Sequence, residues 1–178
     1  MRKISVFLLI AAAIQGGAIM LTGAQAGSSP TTGTMTVTSP DFKEGQMIPP
    51  RFTCDGESVN PGLVIENIPK DAKSLAMIVD DPDAPGGTFT HWVMYNVPVT
   101  SRISTNSQPG IQGQNSKKRN GYAGPCPPAG ETHRYFFKVY ALDNKLNLKA
   151  GADKKTVEQA MQGHVLATGQ LVGLYKKQ

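Results

Sequence analysis

The chain has 178 residues, of which 39% are hydrophobic and 17% charged, and its 19 Gly and 13 Pro are too few for a low-complexity sequence. The 18 Lys and Arg residues exceed the 13 Asp and Glu residues by only five charges. Such a mild excess does not supply the clustered basic face of a nucleic-acid-binding protein. Composition therefore indicates a globular protein and argues against a nucleic-acid partner.

The first 26 residues have the pattern of an export signal. Arg2 and Lys3 form a positive start, residues 4–14 form an apolar core, and Ala24-Gln25-Ala26 is a small-x-small cleavage site. A membrane anchor is the alternative, but Gln15-Gly16-Gly17 interrupts the apolar stretch. We therefore expect cleavage, a periplasmic or secreted product, and no stable membrane insertion after processing.

After the signal peptide, residues 27–33 are small and polar, as in a flexible lead-in, and we expect one domain over residues 34–178. Short apolar runs rich in Val, Ile, Tyr and Phe alternate there with Pro- and Gly-rich turns. This pattern favours an antiparallel sandwich over alternating βαβ units. The predicted strands are residues 35–38, 63–65, 75–79, 92–97, 135–142 and 165–175.

Two features predict how the layers are arranged. Residues 75–79 are apolar without alternation, so this strand is expected to be central and covered on both faces. One helix is expected over residues 153–162, with Asp153 as N-cap and with Val157, Ala160 and Met161 on one face. The predicted fold is mainly β: a large central sheet with a second sheet on one face and helical or loop segments on the other.

Polar residues interrupt the central strands at two places. The strand at 75–79 runs directly into Asp80-Asp81-Pro82-Asp83, which on its own is compatible with an Asx-type turn capped by its own side chains. His91 begins the next strand, and a short connection brings the two strand ends together. The Asp cluster and His91 are therefore expected to face each other.

Strand periodicity predicts which side chains share a face. In the strand that begins near His91, one face should carry His91, Val93 and Tyr95, and the other should carry Trp92, Met94 and Asn96.

The second interruption follows the loop at residues 121–130. There His133 and Tyr135 should point the same way, with Arg134 opposite. The structural alternative places Tyr135 in the core and Arg134 at the surface or in an ion pair.

These motifs together resemble a known family. Asp81-Pro82-Asp83-Ala84-Pro85, His91-Trp92-Val93, the Gly121-to-Pro128 loop and His133-Arg134-Tyr135 follow the order and spacing of the phosphatidylethanolamine-binding protein family, most closely its bacterial Raf-kinase-inhibitor-like branch. The resemblance covers residues 39–175. It implies an antiparallel two-sheet sandwich with a small pocket for phosphate-like or carboxylate anions.

The resemblance also implies which residues form the pocket. Four side chains and part of a loop backbone are placed at it by motif position: Asp81, His91, His133 and Tyr135, with Gly124, Pro125 and Cys126 at the rim. It places both cysteines near the pocket, and in an exported chain this even number predicts a Cys54–Cys126 disulfide, with two free thiols as the alternative. Glu131 departs from the family's usual Gly-x-His-Arg pattern and adds a carboxylate near the site.

The residues favour a binding module for a small anionic ligand or phosphorylated group, without cofactor or metal. Neither a Gly-x-Ser-x-Gly elbow nor a His-Glu-x-x-His motif occurs in the sequence. The first alternative is a secreted inhibitor or modulator that docks on a protein target, a protease or kinase. The second is a hydrolase in which two His and one Asp serve as acid and base or hold a metal.

The export signal makes a prediction about processing. Cleavage after Ala26 should leave Gly27 as the first residue of the protein recovered from the periplasm or medium. Intact-mass spectrometry of that protein checks it, and a mass that still includes residues 1–26 would contradict it.

Overall fold

The computed structural model describes residues 32–177. The predicted signal peptide at residues 1–26 and most of the lead-in at residues 27–33 lie outside the described residues. Within residues 32–177, no helix is long and apolar enough to cross a membrane.

The described chain is mainly β, as predicted, with one α-helix and a single 3₁₀ turn at Pro50–Phe52. The strands and the helix are β1 (Gly33–Thr34), β2 (Thr36–Thr38), β3 (Leu63–Glu66), β4 (Ser74–Asp81), β5 (Phe89–Val97), β6 (Arg102–Ile103), β7 (Ile111–Gln112), β8 (Thr132–Leu142), α1 (Lys154–Met161) and β9 (Val165–Lys176). The predicted strands are present, but β4, β5 and β8 extend further than predicted. The extensions matter because they include Asp81, His91 and His133 within the strands.

The strands form two sheets. The large sheet has the order β1-β9-β8-β4-β5-β7, and the small sheet has the order β2-β3-β6. In the large sheet, neighbouring strands are antiparallel except for β1, which pairs in parallel with β9 through Gly33 and Thr34. This short pair departs from the predicted antiparallel arrangement because the chain runs beside β9 before it crosses at Met35 to the small sheet.

The large sheet is covered on both faces, as predicted. Between the two sheets lies the main core, which includes Leu75, Met77, Val79, Trp92, Met94, Tyr135 and Phe137. On the opposite face a second cluster packs under α1 and includes Ala76, Ile78, Val93, Tyr95, Val157 and Met161. Strand β4 thus contributes alternate residues to two cores, which explains why its sequence shows no polar alternation.

Helix α1 agrees closely with the prediction. The Asp153 side chain accepts a hydrogen bond from the Thr156 N–H at 2.9 Å, as an N-cap residue does. Val157 and Met161 are buried, and Ala160 packs against the same cluster. The helix therefore closes the second core from one side.

Strand β5 contains two irregularities that overturn the predicted facing of its side chains. Val79 pairs with Trp92 and Asp80 with Thr90, so His91 is an extra residue in a β-bulge. The His91 ring contacts Tyr135, which belongs to the main core, whereas Val93 and Tyr95 lie in the cluster under α1. The prediction that His91 shares a face with Val93 and Tyr95 is wrong, because the bulge shifts the alternation by one residue.

The second irregularity lies at the far end of β5. Asn96 has a φ of 53°, in the left-handed region, and the pairing shifts by one residue there. Its side chain exchanges hydrogen bonds with the backbone of Leu146, which belongs to the cluster under α1. Asn96 is therefore not grouped with Trp92 and Met94 as predicted.

A disulfide between Cys54 and Cys126 joins the segment after the 3₁₀ turn to the loop that precedes β8, as predicted. Two hydrogen bonds support the same junction: the Cys54 N–H donates to the Pro125 carbonyl at 3.0 Å, and the Gly124 N–H donates to the Ser58 hydroxyl at 2.9 Å. The loop is thus attached to the 52–58 segment both covalently and by hydrogen bonds.

Removing the disulfide should destabilise the protein. The two cysteines are 72 residues apart, and in the chain-entropy account a loop of that length contributes up to about 4 kcal/mol. We expect the double variant Cys54→Ser/Cys126→Ser to lose roughly 2–4 kcal/mol of unfolding free energy in urea denaturation. Reduced wild-type protein is the matched control, and equal stability of oxidised wild type and the variant would contradict the expectation.

Candidate functional site

The site lies where three neighbouring strands of the large sheet meet. Strand β4 lies between β8 and β5, so its last residue, Asp81, is flanked by strands that carry His133 and His91. These residues are only 3%, 3% and 4% exposed, respectively. The structure thus brings together the three polar side chains at the centre of the sequence prediction.

Asp81 and Glu131 hold the two ring nitrogens of His133. The Nδ1 atom lies 2.7 Å from Asp81 Oδ2, and the Nε2 atom lies 3.2 Å from Glu131 Oε2. Burial by itself would lower the pKa of His133, but the hydrogen bonds and charges of the two carboxylates raise it above its ordinary value. His133 is therefore biased toward the imidazolium form, in which both nitrogens donate.

Asp81 also shapes the turn that follows it. Its Oδ1 atom accepts the backbone N–H of Asp83 at 2.9 Å, while its Oδ2 atom accepts from His133. The Asx-type turn and the contact with His133 are therefore both present, and one carboxylate supplies both.

An ion pair fixes the same turn to β8. Arg134 Nε and Nη2 lie 2.9 Å and 2.7 Å from the two carboxylate oxygens of Asp83, and the Arg134 backbone N–H donates to Asp83 as well. The guanidinium contact lowers the pKa of Asp83 to about 2. Arg134 is thus in an ion pair, and the Asp81-to-Asp83 turn is held in register with β8.

His91 has a different environment from His133. Its Nδ1 atom lies 2.8 Å from the carbonyl oxygen of Ala123, and because a carbonyl only accepts, Nδ1 carries the proton. Burial lowers the pKa of His91, and its hydrogen bond to Ala123 offsets this only in part. The neutral ring leaves Nε2 as a hydrogen-bond acceptor.

Tyr135 lies in the core beside the site and does not line the cleft. It is fully buried, packs edge-on against His91 with ring centroids 5.2 Å apart, and has no hydrogen-bond partner for its hydroxyl among the described residues. Burial first, and the charge of Asp81 second, raise the pKa of Tyr135. By the alternation of β8, Tyr135 shares a face with His133 and Arg134 lies opposite, as predicted; Tyr135 lies two residues further along the strand, where this face packs into the core between the sheets.

The predicted rim loop contributes only in part. Gly124 and Pro125 are buried; the N–H of Gly124 is donated to Ser58, and the carbonyl of Pro125 accepts from Cys54. Proline has no N–H to offer. Of the three predicted rim residues, Cys126 is the one that lines the cleft.

A cleft of about 400 Å³ opens over these groups. Its lining consists of two histidines, one carboxylate, two lysines and a set of small or apolar residues: His91, His133, Asp81, Lys117, Lys177, Ala84, Pro85, Phe89, Cys126, Pro127 and Pro128. Neither lysine was among the predicted site residues, and Lys177 lies outside every motif that the sequence offered. The pairing of Thr132 with Lys176 brings the end of β9 beside the start of β8, and this antiparallel pairing was the available signal.

Asp80, the neighbour of Asp81, faces the other side of the sheet. It accepts from Lys138 at 3.0 Å, from Lys154 at 2.7 Å and from the Thr90 hydroxyl at 3.1 Å. Asp80 is therefore a paired structural charge outside the cleft. Over residues 32–177, no cluster of three or more His, Cys, Asp or Glu side chains is arranged to hold a metal ion.

Comparisons with known proteins agree with this architecture. The family model described as phosphatidylethanolamine-binding protein matches residues 38–176. A UPF0098 protein of Pyrococcus horikoshii is 50% identical over 146 residues, which cover 76% of this chain and 74% of the relative. One of Aquifex aeolicus is 47% identical over 152 residues, covering 80% of this chain and 89% of the relative.

Two crystal structures are also similar. One, from Chlamydia trachomatis, is described as a phosphatidylethanolamine-binding protein homologue; it has a TM-score of 0.78 and 39% identity, and the match covers 83% of this chain and all 100% of the other. Escherichia coli YbcL is described as a new member of the mammalian phosphatidylethanolamine-binding protein family. It has a TM-score of 0.75 and 28% identity, and the match covers 81% of this chain and 99% of the other.

The different environments of His91 and His133 lead to a prediction about the pH dependence of stability. A raised folded-state pKa means that the contribution of His133 to stability is complete below the unfolded value of about 6.5 and is lost as pH rises through the folded value. Asp81→Asn should lower the pKa of His133 and reduce this pH-dependent contribution. Imidazole proton NMR titration of the wild type and of the variant checks it. An unchanged His133 pKa in the variant would contradict the assignment.

Proposed function

The chain belongs to the phosphatidylethanolamine-binding protein family, and from this membership we propose that it is an exported protein that binds a small anion, phosphate-like or carboxylate, in the cleft over Asp81, His91 and His133. The observation that carries the proposal is the buried Asp81–His133 pair, with Nδ1 held at 2.7 Å from the carboxylate. This contact orients the ring and favours its cationic form, so that Nε2–H becomes a directed donor at the cleft.

A carboxylate in an anion site would ordinarily oppose binding. Here the two Asp81 oxygens already accept from His133 and from the Asp83 N–H. Lys117 and Lys177 add two positive charges to the cleft wall. The Asp81 carboxylate therefore serves to hold the imidazolium, and the lysines supply the attraction that an oxyanion needs.

The neutral His91 refines the kind of anion that fits. Its Nε2 atom accepts a hydrogen bond, which suits an oxyanion that retains an O–H group. Phosphate monoesters keep one proton below their second pKa of about 6. In the proposed site, His133 is therefore the donor to the ligand and His91 the acceptor.

The proposal involves binding without a chemical step. Among the described residues that line the cleft there is no Ser or Thr, and Cys126 is held in the disulfide. These lining residues therefore offer neither a hydroxyl of Ser or Thr nor a free thiol as an activated nucleophile. Metal analysis of the purified protein provides the check on the hydrolase alternative, because stoichiometric zinc or iron would favour it.

Calorimetric titration with inorganic phosphate from pH 5.5 to 8.5 tests the function. Affinity should fall as pH rises through the pKa of His133 in the complex, because the imidazolium is the stronger donor. His133→Ala should weaken binding at pH 5.5 by about ten- to a hundredfold, as expected for loss of a hydrogen bond to a charged group. Sulfate, which does not titrate over this range, separates protein protonation from ligand protonation.

His164→Ala is the matched control, since His164 pairs with Asp143 and does not line the cleft. It should bind phosphate as the wild type does. If wild type and His133→Ala bind alike at every pH, the proposed site is wrong.

A further inference from the structure

We propose, resting on the anion-binding function above, that Glu131 is a tethered competitor: its carboxylate occupies the His133 N–H that a bound anion would use, so that a ligand enters only by displacing it. Glu131 Oε2 lies 3.2 Å from His133 Nε2, the one ring nitrogen not held by Asp81. An external oxyanion that takes a hydrogen bond from His133 must take it from this atom.

The two carboxylates on His133 differ in how firmly they are held. The Asp81 side chain is only 4% exposed and also accepts the Asp83 N–H. The Glu131 side chain is 58% exposed, and His133 is its one polar partner among the described residues. When an anion arrives, Glu131 is therefore the group that can leave, because it regains water and gives up a single hydrogen bond.

The backbone around Glu131 allows this movement. Glu131 directly precedes the first residue of β8, so it lies outside the ladder that fixes His133 against Tyr175. Gly130 before it has a φ of +86°, and no atom lies within 4 Å of the position that a Cβ would take there; the Glu131 N–H donates to the Pro128 carbonyl at 3.1 Å, so the movement is one of the side chain. The carboxylate can therefore swing away while the strand and the His133 ring stay in place.

The charged groups around His133 determine how the interactions of its ring change when an anion displaces Glu131. Asp81 and Glu131 contact the ring, Asp83 lies near enough to interact with it, and Lys117 and Lys177 line the same cleft. Exchange of Glu131 for a phosphate keeps an anion on Nε2 and brings further acceptor oxygens and charge into the cleft that the two lysines line. A simple carboxylate adds far less, because it replaces one carboxylate by another.

Competition of this kind lowers the affinity of every anion that needs Nε2 by the same factor. Glu131 thus raises the anion concentration needed to occupy the site and leaves the order of ligand affinities unchanged. Weakly held carboxylates are kept out at concentrations at which a phosphate-type ligand, with more acceptor oxygens and charge, still binds.

Two substitutions at Glu131 separate direct contact from a general charge effect. Glu131→Gln removes the charge, and Glu131→Asp keeps the charge but shortens its reach by one methylene. Both should bind inorganic phosphate about two- to sixfold more tightly than wild type in calorimetry at pH 5.5, the range expected for release of one exposed ion pair. Glu66→Gln, an exposed charge on β3, is the control and should bind as wild type does.

Asp81 is present in both variants, so its contact with His133 Nδ1 still favours the imidazolium form. The pKa of His133, followed by NMR without ligand, should fall in Glu131→Gln and so confirm that the contact exists in solution. Tighter binding by both variants supports the competitor.

Tighter binding by Glu131→Gln alone would assign the effect to net charge and overturn the proposal. Wild-type binding with no gain in either variant overturns it while the anion-binding function stands. Absence of phosphate binding in the wild type and in every variant overturns both.

Discussion

The site depends on one buried carboxylate at the end of the central strand. A charge as little exposed as that of Asp81 is tolerated only when its oxygens are paired, and here they are paired by the His133 ring and by the turn amide of Asp83. The strand order β8-β4-β5 makes this possible, because it places a histidine-bearing strand on either side of β4. The strand pairing that builds the sheet therefore also brings the side chains of the candidate site together.

The bulge at His91 is the second feature on which the candidate site depends. A regular strand would direct His91 toward α1 along with Val93, whereas the extra residue turns its ring to the side of Asp81 and Tyr135. Bulges disrupt a ladder locally and are common where a strand must re-aim a side chain. The pKa values of the two histidines shift in opposite directions because burial lowers that of His91, whereas the Asp81 and Glu131 carboxylates raise that of His133.

Much of this architecture was predictable from sequence, and the misses have physical causes. The two-sided burial of β4 and the cap at Asp153 follow from local pattern, the meeting of Asp81 with His91 follows from the strand ends, and the placement of His133 beside Asp81 was implied by the family resemblance. The two irregularities of β5 leave no mark in a pattern of alternation, so the predicted facing of His91 and of Asn96 was wrong. Lys177 joins the cleft through long-range pairing of β9, which local periodicity does not report.

Asp80 and Asp81 are chemically identical neighbours with separate duties. Asp80 neutralises Lys138 and Lys154 under the helix, and Asp81 holds His133 in the cleft. Because successive strand residues point to opposite faces, a shift of β4 by one position would exchange the two. Over evolutionary time, insertions and deletions should therefore be absorbed in the turn after Asp83 and be excluded from β4, where even a single-residue change in length would exchange the carboxylate that holds His133 for the one that pairs with Lys138 and Lys154.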